Sequence, residues 1–89
     1  MTRRYLISGT VQGVGFRYAA CQQAQNIGLS GWVRNLPDGR VEALATGTAD
    51  TLSHFEDWLH NGPPGARVAG LQIMPGQQAA DSADFEIRR

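Results

Sequence analysis

Gly9-Thr10-Val11-Gln12-Gly13-Val14-Gly15-Phe16-Arg17 is where the character of the chain changes. Arg3 to Val11, leading into it, reads as a first strand. Tyr5, Ile7 and Gly9 share one face and Leu6, Ser8 and Thr10 the other. After it, Phe16, Ala20, Ala24 and Ile27 recur at spacings of four, four and three, the stripe of an amphipathic helix. Gly28 stands where a helix-ending glycine belongs. Gln12 to Gly15 therefore reads as a glycine-rich turn joining a strand to a helix.

The pattern outward from that junction is regular. Ser30 to Leu36 is a second strand, Pro37-Asp38-Gly39 a turn, and Arg40 to Thr46 a third strand, so the two strands form a hairpin. Thr48 is a candidate N-cap for a second helix ending near His60, with Leu52, Phe55 and Leu59 as its core stripe. Asn61-Gly62-Pro63-Pro64 stops it. Arg67 to Met74 is a fourth strand and Pro75 to Ala83 a polar loop. Asp84 to Arg88 is a short last strand with Phe85 and Ile87 facing inward. This order predicts an α+β, ferredoxin-like split βαβ sandwich. Its mainly antiparallel sheet has four to five strands, with two helices on one face. At 89 residues, the whole of 1–89 is expected to be a single domain.

Composition narrows the chemistry. Acidic and basic residues balance at eight each, and every basic residue is arginine. Without lysine there is no Schiff-base chemistry and no lysine-dependent phosphate loop. A neutral total argues against broad capture of nucleic acid or an anionic membrane. The single Cys21 allows no intrachain disulfide and no cysteine-rich zinc site. No apolar run marks a signal peptide or a membrane span, so a cytoplasmic protein is expected.

The turn has a possible chemistry of its own. Backbone amides at a loop-to-helix junction converge on one point, and the helix dipole favours an anion there. Gly13 and Gly15 let the chain take positive φ or let a ligand approach its backbone. Arg17, in the first helical turn, is a cation set against the dipole unless it shares an anion with those amides. Its guanidinium can give two parallel donors to a phosphoryl group. A glycine-rich turn can equally serve tight packing alone, with the arginine merely solvated. The spacing matches neither a dinucleotide fingerprint nor a Walker loop. Gly-Val-Gly-Phe has a slight likeness to an RNA-binding strand motif, but here it starts a helix. Asn35, just before the hairpin turn, reads either as a turn residue or as a side chain able both to donate to and accept from a water.

Two stretches together resemble the acylphosphatase family. One is Gly9-x-Val11-Gln12-Gly13-Val14-Gly15-Phe16-Arg17. The other is Gly28-Leu29-x-Gly31-Trp32-Val33-Arg34-Asn35-x-x-Asp38-Gly39-x-Val41-Glu42. Gly62-Pro63, Ala66-x-Val68 and Phe85-x-Ile87 extend the likeness over nearly the whole chain. The resemblance implies hydrolysis of the carboxyl-phosphate anhydride of small acyl phosphates to carboxylate and inorganic phosphate. It implies no cofactor, no metal and no covalent intermediate. It makes Arg17 the phosphate-binding arginine and Asn35 the residue that orients the nucleophilic water. The amides of Gln12, Gly13, Val14, Gly15, Phe16 and Arg17 become the phosphate cradle. The expected partners are small molecules, not nucleic acid or membrane, and the expected state is a monomer.

Competing readings are a non-catalytic phosphate- or nucleotide-binding module and an acylphosphatase-like accessory domain. The latter stands at the N-terminus of larger hydrogenase maturation proteins that handle carbamoyl phosphate and continue into cysteine-rich zinc modules. RNA binding lacks both a basic excess and well-placed strand aromatics. Other chemistry-bearing residues read as structural. Cys21 is a small, partly buried filler, His54 and His60 lie on the second helix away from the loop, and Trp32 and Trp58 are packing residues. Arg34 is solvated or ion-paired, Glu56 and Asp57 form a solvated helix face, and Asp81 and Asp84 show no acid/base pairing.

Overall fold

A computed structural model describes residues 1–77 and 84–89. The elements follow the order β1 (Thr2–Thr10), α1 (Phe16–Ile27), β2 (Ser30–Asn35), β3 (Val41–Thr46), α2 (Ala49–Asn61), β4 (Arg67–Pro75) and β5 (Phe85–Ile87). They form one five-stranded sheet in the order β4-β1-β3-β2-β5. β1 runs antiparallel to β3 and β4, β2 antiparallel to β3, and β5 parallel to β2. Inserting β3 between β1 and β2 makes the split βαβ arrangement expected from the sequence, a ferredoxin-like α+β fold.

Alternation in the strands supplies one apolar face. Tyr5 and Ile7 of β1, Val33 of β2, and Val41, Ala43 and Ala45 of β3 form one buried cluster. Ala20 and Ala24 of α1 and Leu52, Phe55 and Leu59 of α2 join the same cluster, so both helices lie on one side of the sheet. The small alanines let α1 approach closely. The Phe55 ring meets Tyr5 and Phe85 edge-on at 5.8 Å each. Trp58 tilts against Phe16 at 5.5 Å, which ties α2 to the first residue of α1.

Local chemistry sets the helix ends. Gly28 takes the left-handed conformation at φ 91° and its amide donates to the carbonyls of Ala24 and Gln25. At α2, the Thr48 hydroxyl accepts the Thr51 amide while the Thr51 hydroxyl accepts the Thr48 amide, a capping box built from two threonines. Gly31 is required by close approach. It sits at φ 141°, and a Cβ there would run into the Leu44 carbonyl oxygen.

The structure departs from expectation in four places. The hairpin strands are a residue shorter at the turn, and β4 extends to Pro75, which tolerates the missing amide because β4 is an edge strand. Ile87 does not bury. It pairs with Val33 and so lies on the helix side of the sheet, but it is 42% exposed. Phe85, two residues earlier, is covered by α1, where the Gln25 amide reaches its carbonyl. Lastly, Glu56 is not a solvated helix residue. It accepts from Arg3 Nη1 at 2.6 Å and from the buried Tyr5 hydroxyl at 2.8 Å. Burial, reinforced by the Glu56 carboxylate, pushes the Tyr5 phenol above its ordinary value. The expectations for residues 78–83, Asp81 among them, fall outside the described residues.

Candidate active site

β1 ends at Thr10, and Val11 turns its side chain into the core. Gln12 to Gly15 then reverse the chain before Phe16 opens α1. Gly13 and Gly15 both adopt φ 76°, where a side chain would be strained although no atom lies within 4 Å of either Cβ position. These glycines are therefore required by backbone conformation, not by lack of room. Gly15 is the N-cap of α1, left-handed and without a side-chain cap, and no acidic residue stands in the first turn. Among the described residues, no amide from Gln12 to Tyr18 donates to another backbone carbonyl. A run of free donors thus ends on the positive pole of a twelve-residue helix.

Arg17 projects from this turn. Arg3, Arg4, Arg34, Arg40 and Arg88 each pair with a carboxylate. Among the described residues Arg17 makes no ion pair and no side-chain hydrogen bond. Its five donors face no protein acceptor, in a setting that already favours negative charge. Asn35 comes from the other side. It closes β2 opposite Val41 and is half-buried. A small cavity of about 170 Å³ brings the two together. Gly13, Gly15, Arg17 and Asn35 form its polar part, and Val11, Phe16, Tyr18 and Ile87 its apolar part. A wider groove of about 440 Å³, beside Arg4, Trp32 and Leu44 on the opposite face of the sheet, holds none of the expected site residues.

Gln12 and Val14 do not line the cavity. Val14 packs against the core. Gln12 has a role the sequence did not disclose. Its side-chain amide donates to the carbonyls of Leu36 at 2.8 Å and Arg40 at 2.9 Å. Those carbonyls bracket the turn after Asn35, itself closed by Leu36 N–H donating to Arg40 O at 2.8 Å. Asp38 accepts the Arg40 amide and guanidinium, and these bonds, the backbone one foremost, hold its carboxyl below the usual value. One side chain thus clamps the glycine turn to the turn that carries Asn35. Glutamine suits the task because its NH2 has two donors for two carbonyls.

The remaining polar residues are placed elsewhere. Cys21 is buried with its thiol against the Phe85 carbonyl at 3.3 Å, and burial, with the nearby Glu86 charge, pushes its pKa up. That opposes thiolate chemistry. His54 and His60 are exposed on α2. Trp32 lies on the sheet face away from the helices, with the guanidinium carbons of Arg34 and Arg88 at 5.2 and 5.4 Å from its ring centre. Glu42 is a buried carboxylate on that same face, held by Arg4 and Arg34 at 2.6 Å each. Tyr18 was not singled out by the sequence reading, and Ile87 was expected to be covered.

The arrangement can hold a small tetrahedral anion and present a neutral amide beside it. Similar proteins share the sequence and the fold. A family model described as Acylphosphatase matches residues 3–87. The acylphosphatase of Synechococcus sp. (strain WH7803) is 54% identical over 86 residues, covering 96% of this chain and 84% of that one. Among solved structures, the acylphosphatase from Bacillus subtilis superposes with a TM-score of 0.93 at 36% identity, covering 99% of this chain and 98% of that one. An acylphosphatase from Coxiella burnetii gives 0.90 at 37% identity, covering 98% and 90%.

Proposed function

The chain belongs to the acylphosphatase family and has that family's activity, hydrolysis of an acid anhydride between a carboxyl and a phosphoryl group; on that premise we propose that the glycine turn and Arg17 hold the phosphoryl group while Asn35 orients the attacking water. The observation that carries this reading is the single small cavity shared by Gly13, Gly15, Arg17 and Asn35.

The chemistry needs little more. The leaving group is a carboxylate of low pKa, so it departs without a strong general acid. The demanding tasks are placing water in line with the breaking bond and stabilising charge on the equatorial oxygens. The amides of residues 12–17 and the Arg17 fork serve the second task. Asn35 serves the first, its Oδ1 accepting a hydrogen bond from the water and its NH2 donating one to a water lone pair, which leaves the other lone pair toward phosphorus. A neutral amide is a poor base, so a phosphoryl oxygen of the substrate or bulk water takes the proton. No metal, cofactor or covalent intermediate enters. Residues 1–89 act as one catalytic domain, as a cytoplasmic monomer on small acyl phosphates, without nucleic-acid or membrane partners. Among the described residues, no helix is long and apolar enough to cross a membrane.

The test is phosphate release from acetyl phosphate with a chelator present. Wild type should turn over undiminished. Arg17→Ala should lose inhibition by inorganic phosphate and about 10²–10³-fold in kcat/KM, as expected for a lost preorganised donor. Asn35→Ala should lose a similar factor in kcat with phosphate inhibition nearly intact. An inactive wild type that still binds phosphate would return the protein to the binding-module reading. Near-normal kcat in Asn35→Ala would remove the water-positioning role.

A further inference from the structure

We propose that the arginines gathered at the cavity end of the sheet form a cationic collar that draws doubly charged phosphoryl compounds to the site, with the exposed Arg67 as its outlying member. The proposal rests on the phosphoryl-binding reading above and concerns how the ligand arrives, not what holds it.

The chain carries no net charge, but its charges are not spread evenly. Alternating strand directions bring one set of element ends together. β1 stops at Thr10, β2 at Asn35 and β5 at Ile87, while β3 starts at Val41, β4 at Arg67 and α1 at Phe16. The cavity opens at this end. Five of the eight arginines stand within one residue of those six positions: Arg17, Arg34, Arg40, Arg67 and Arg88. The carboxylates beside them are Asp38, Glu42 and Glu86, which pair with Arg40, Arg34 and Arg88 at 2.8, 2.6 and 2.8 Å. Two positive charges of the five are left over, on Arg17 and Arg67. At the opposite end, Asp50 stands in the first turn of α2 and Asp84 just before β5. The described part of the molecule is therefore positive where the site lies, although the chain as a whole is neutral.

Arg67 has no part in the cavity itself. It opens β4, is exposed, and is the ladder partner of Thr10, two residues before Gln12. Among the described residues its side chain makes no ion pair and no hydrogen bond. β4 is three strands from β2, so at about 4.8 Å per strand Arg67 lies about 14 Å across the sheet from the strand of Asn35. That is too far to touch a phosphoryl group in the cavity and near enough to act on its charge. The separation is under half the screening length of about 30 Å at 10 mM salt, and well beyond the length of about 3 Å at 1 M. An acyl phosphate and its inorganic product each carry close to two negative charges near pH 8, which doubles the effect of each cation. A structural arginine would have a carboxylate beside it; a free one on the rim of an anion site adds to the field.

The experiment measures kcat and kcat/KM on acetyl phosphate near pH 8, at about 10 mM and about 0.5 M NaCl, in wild type, Arg67→Glu, Arg67→Gln and Arg67→Lys. Asp50→Arg, at the opposite end, is the control. Reversing one charge about 14 Å from a dianion should lower kcat/KM about 3-fold at the low salt and by less than about 1.2-fold at the high salt. Arg67→Gln should lose about 1.8-fold at the low salt, and Arg67→Lys should match wild type. Asp50→Arg should raise kcat/KM by less than about 1.5-fold, and kcat should stay constant in every variant. The readout is the change with salt in the wild-type-to-variant ratio, so a general loss of folded enzyme cancels, as does competition by chloride at the site. A ratio for Arg67→Glu that is the same at both salt concentrations overturns the proposal. So does Arg67→Lys behaving as Arg67→Gln. The roles of Arg17 and Asn35 are judged separately, from phosphate inhibition and kcat in Arg17→Ala and Asn35→Ala at one salt concentration, so failure of one is not failure of the other.

Discussion

Replacing Glu42 by glutamine tests how the sheet supports the site without touching it. Glu42 lies opposite Arg34 in the β2–β3 ladder, one position from the Asn35–Val41 pair, on the face away from the helices. The carboxylate is 2% exposed, whereas the side chains of Arg4 and Arg34 are 44% and 43% exposed. Each carboxylate oxygen accepts one guanidinium Nε–H at 2.6 Å. Two charge-assisted bonds of about 1.5–3 kcal/mol each set the upper scale. Glutamine keeps one acceptor, so one bond survives in neutral form, but its NH2 faces the second guanidinium donor to donor. The half-exposed arginines can turn to water, which discounts the loss. The expected cost is about 2 kcal/mol, or about 8–16 °C in Tm for a domain of this size.

The pH dependence gives the estimate its sign. Burial pushes the Glu42 carboxyl up, but hydrogen bonds and charge from Arg34 and Arg4 outweigh it, and its pKa falls below the ordinary 4.5. The folded state then binds fewer protons than the unfolded state between the lowered value and 4.5. Glu42's contribution is complete above the ordinary value and is lost as pH falls through the lowered one. Thermal unfolding of wild type and Glu42→Gln should therefore differ most near neutrality and converge only in acid below the lowered value. Turnover at 25 °C should stay within about twofold, because the side chain is on the far face from the cavity; that bound follows from the small effects expected away from reacting groups. A Tm change under about 2 °C at pH 7, less than a fifth of the mid-range expectation, would refute the account. So would a difference that does not change with pH.

Two further substitutions probe the glycine turn and its clamp. Gln12→Ala removes both side-chain bonds to the Leu36 and Arg40 carbonyls. Denaturant unfolding should show a loss of about 1–3 kcal/mol, and kcat should fall more than phosphate affinity because the released turn carries Asn35. Equal effects on both would show that the clamp does not position Asn35. Gly15→Ala and Gly31→Ala both place a side chain at positive φ, but only at Gly31 does the new Cβ strike a backbone oxygen, that of Leu44. Gly15→Ala should cost about 1–2 kcal/mol and remain folded. Gly31→Ala should lose cooperative unfolding in calorimetry, and comparable Tm values for the two would show that the β2–β3 contact yields.

What could be read from the sequence, and what could not, divides along a physical line. Each strand and helix followed from the spacing of its own apolar residues, because a period of two or near four is a local property. The positive φ of Gly13 and Gly15 and the place of Arg17 in the first turn of α1 were legible for the same reason, since they are set within one turn of chain. Gln12, Glu42, Glu56 and Ile87 were not. Gln12 meets carbonyls 24 and 28 residues away, and Glu56 meets Arg3 and Tyr5 at separations of 53 and 51. Periodicity places a side chain on a face, but what stands over that face is decided by where another element stops. Ile87 shows this directly. It does lie on the inward face, as alternation predicts, yet α1 begins at Phe16 and leaves that end of the sheet uncovered. Among the described residues, the amides from Gln12 to Tyr18, at the start of that helix, have no backbone acceptor. The exposed Ile87 and the free amides of the glycine turn thus lie together, at one small cavity beside the start of α1.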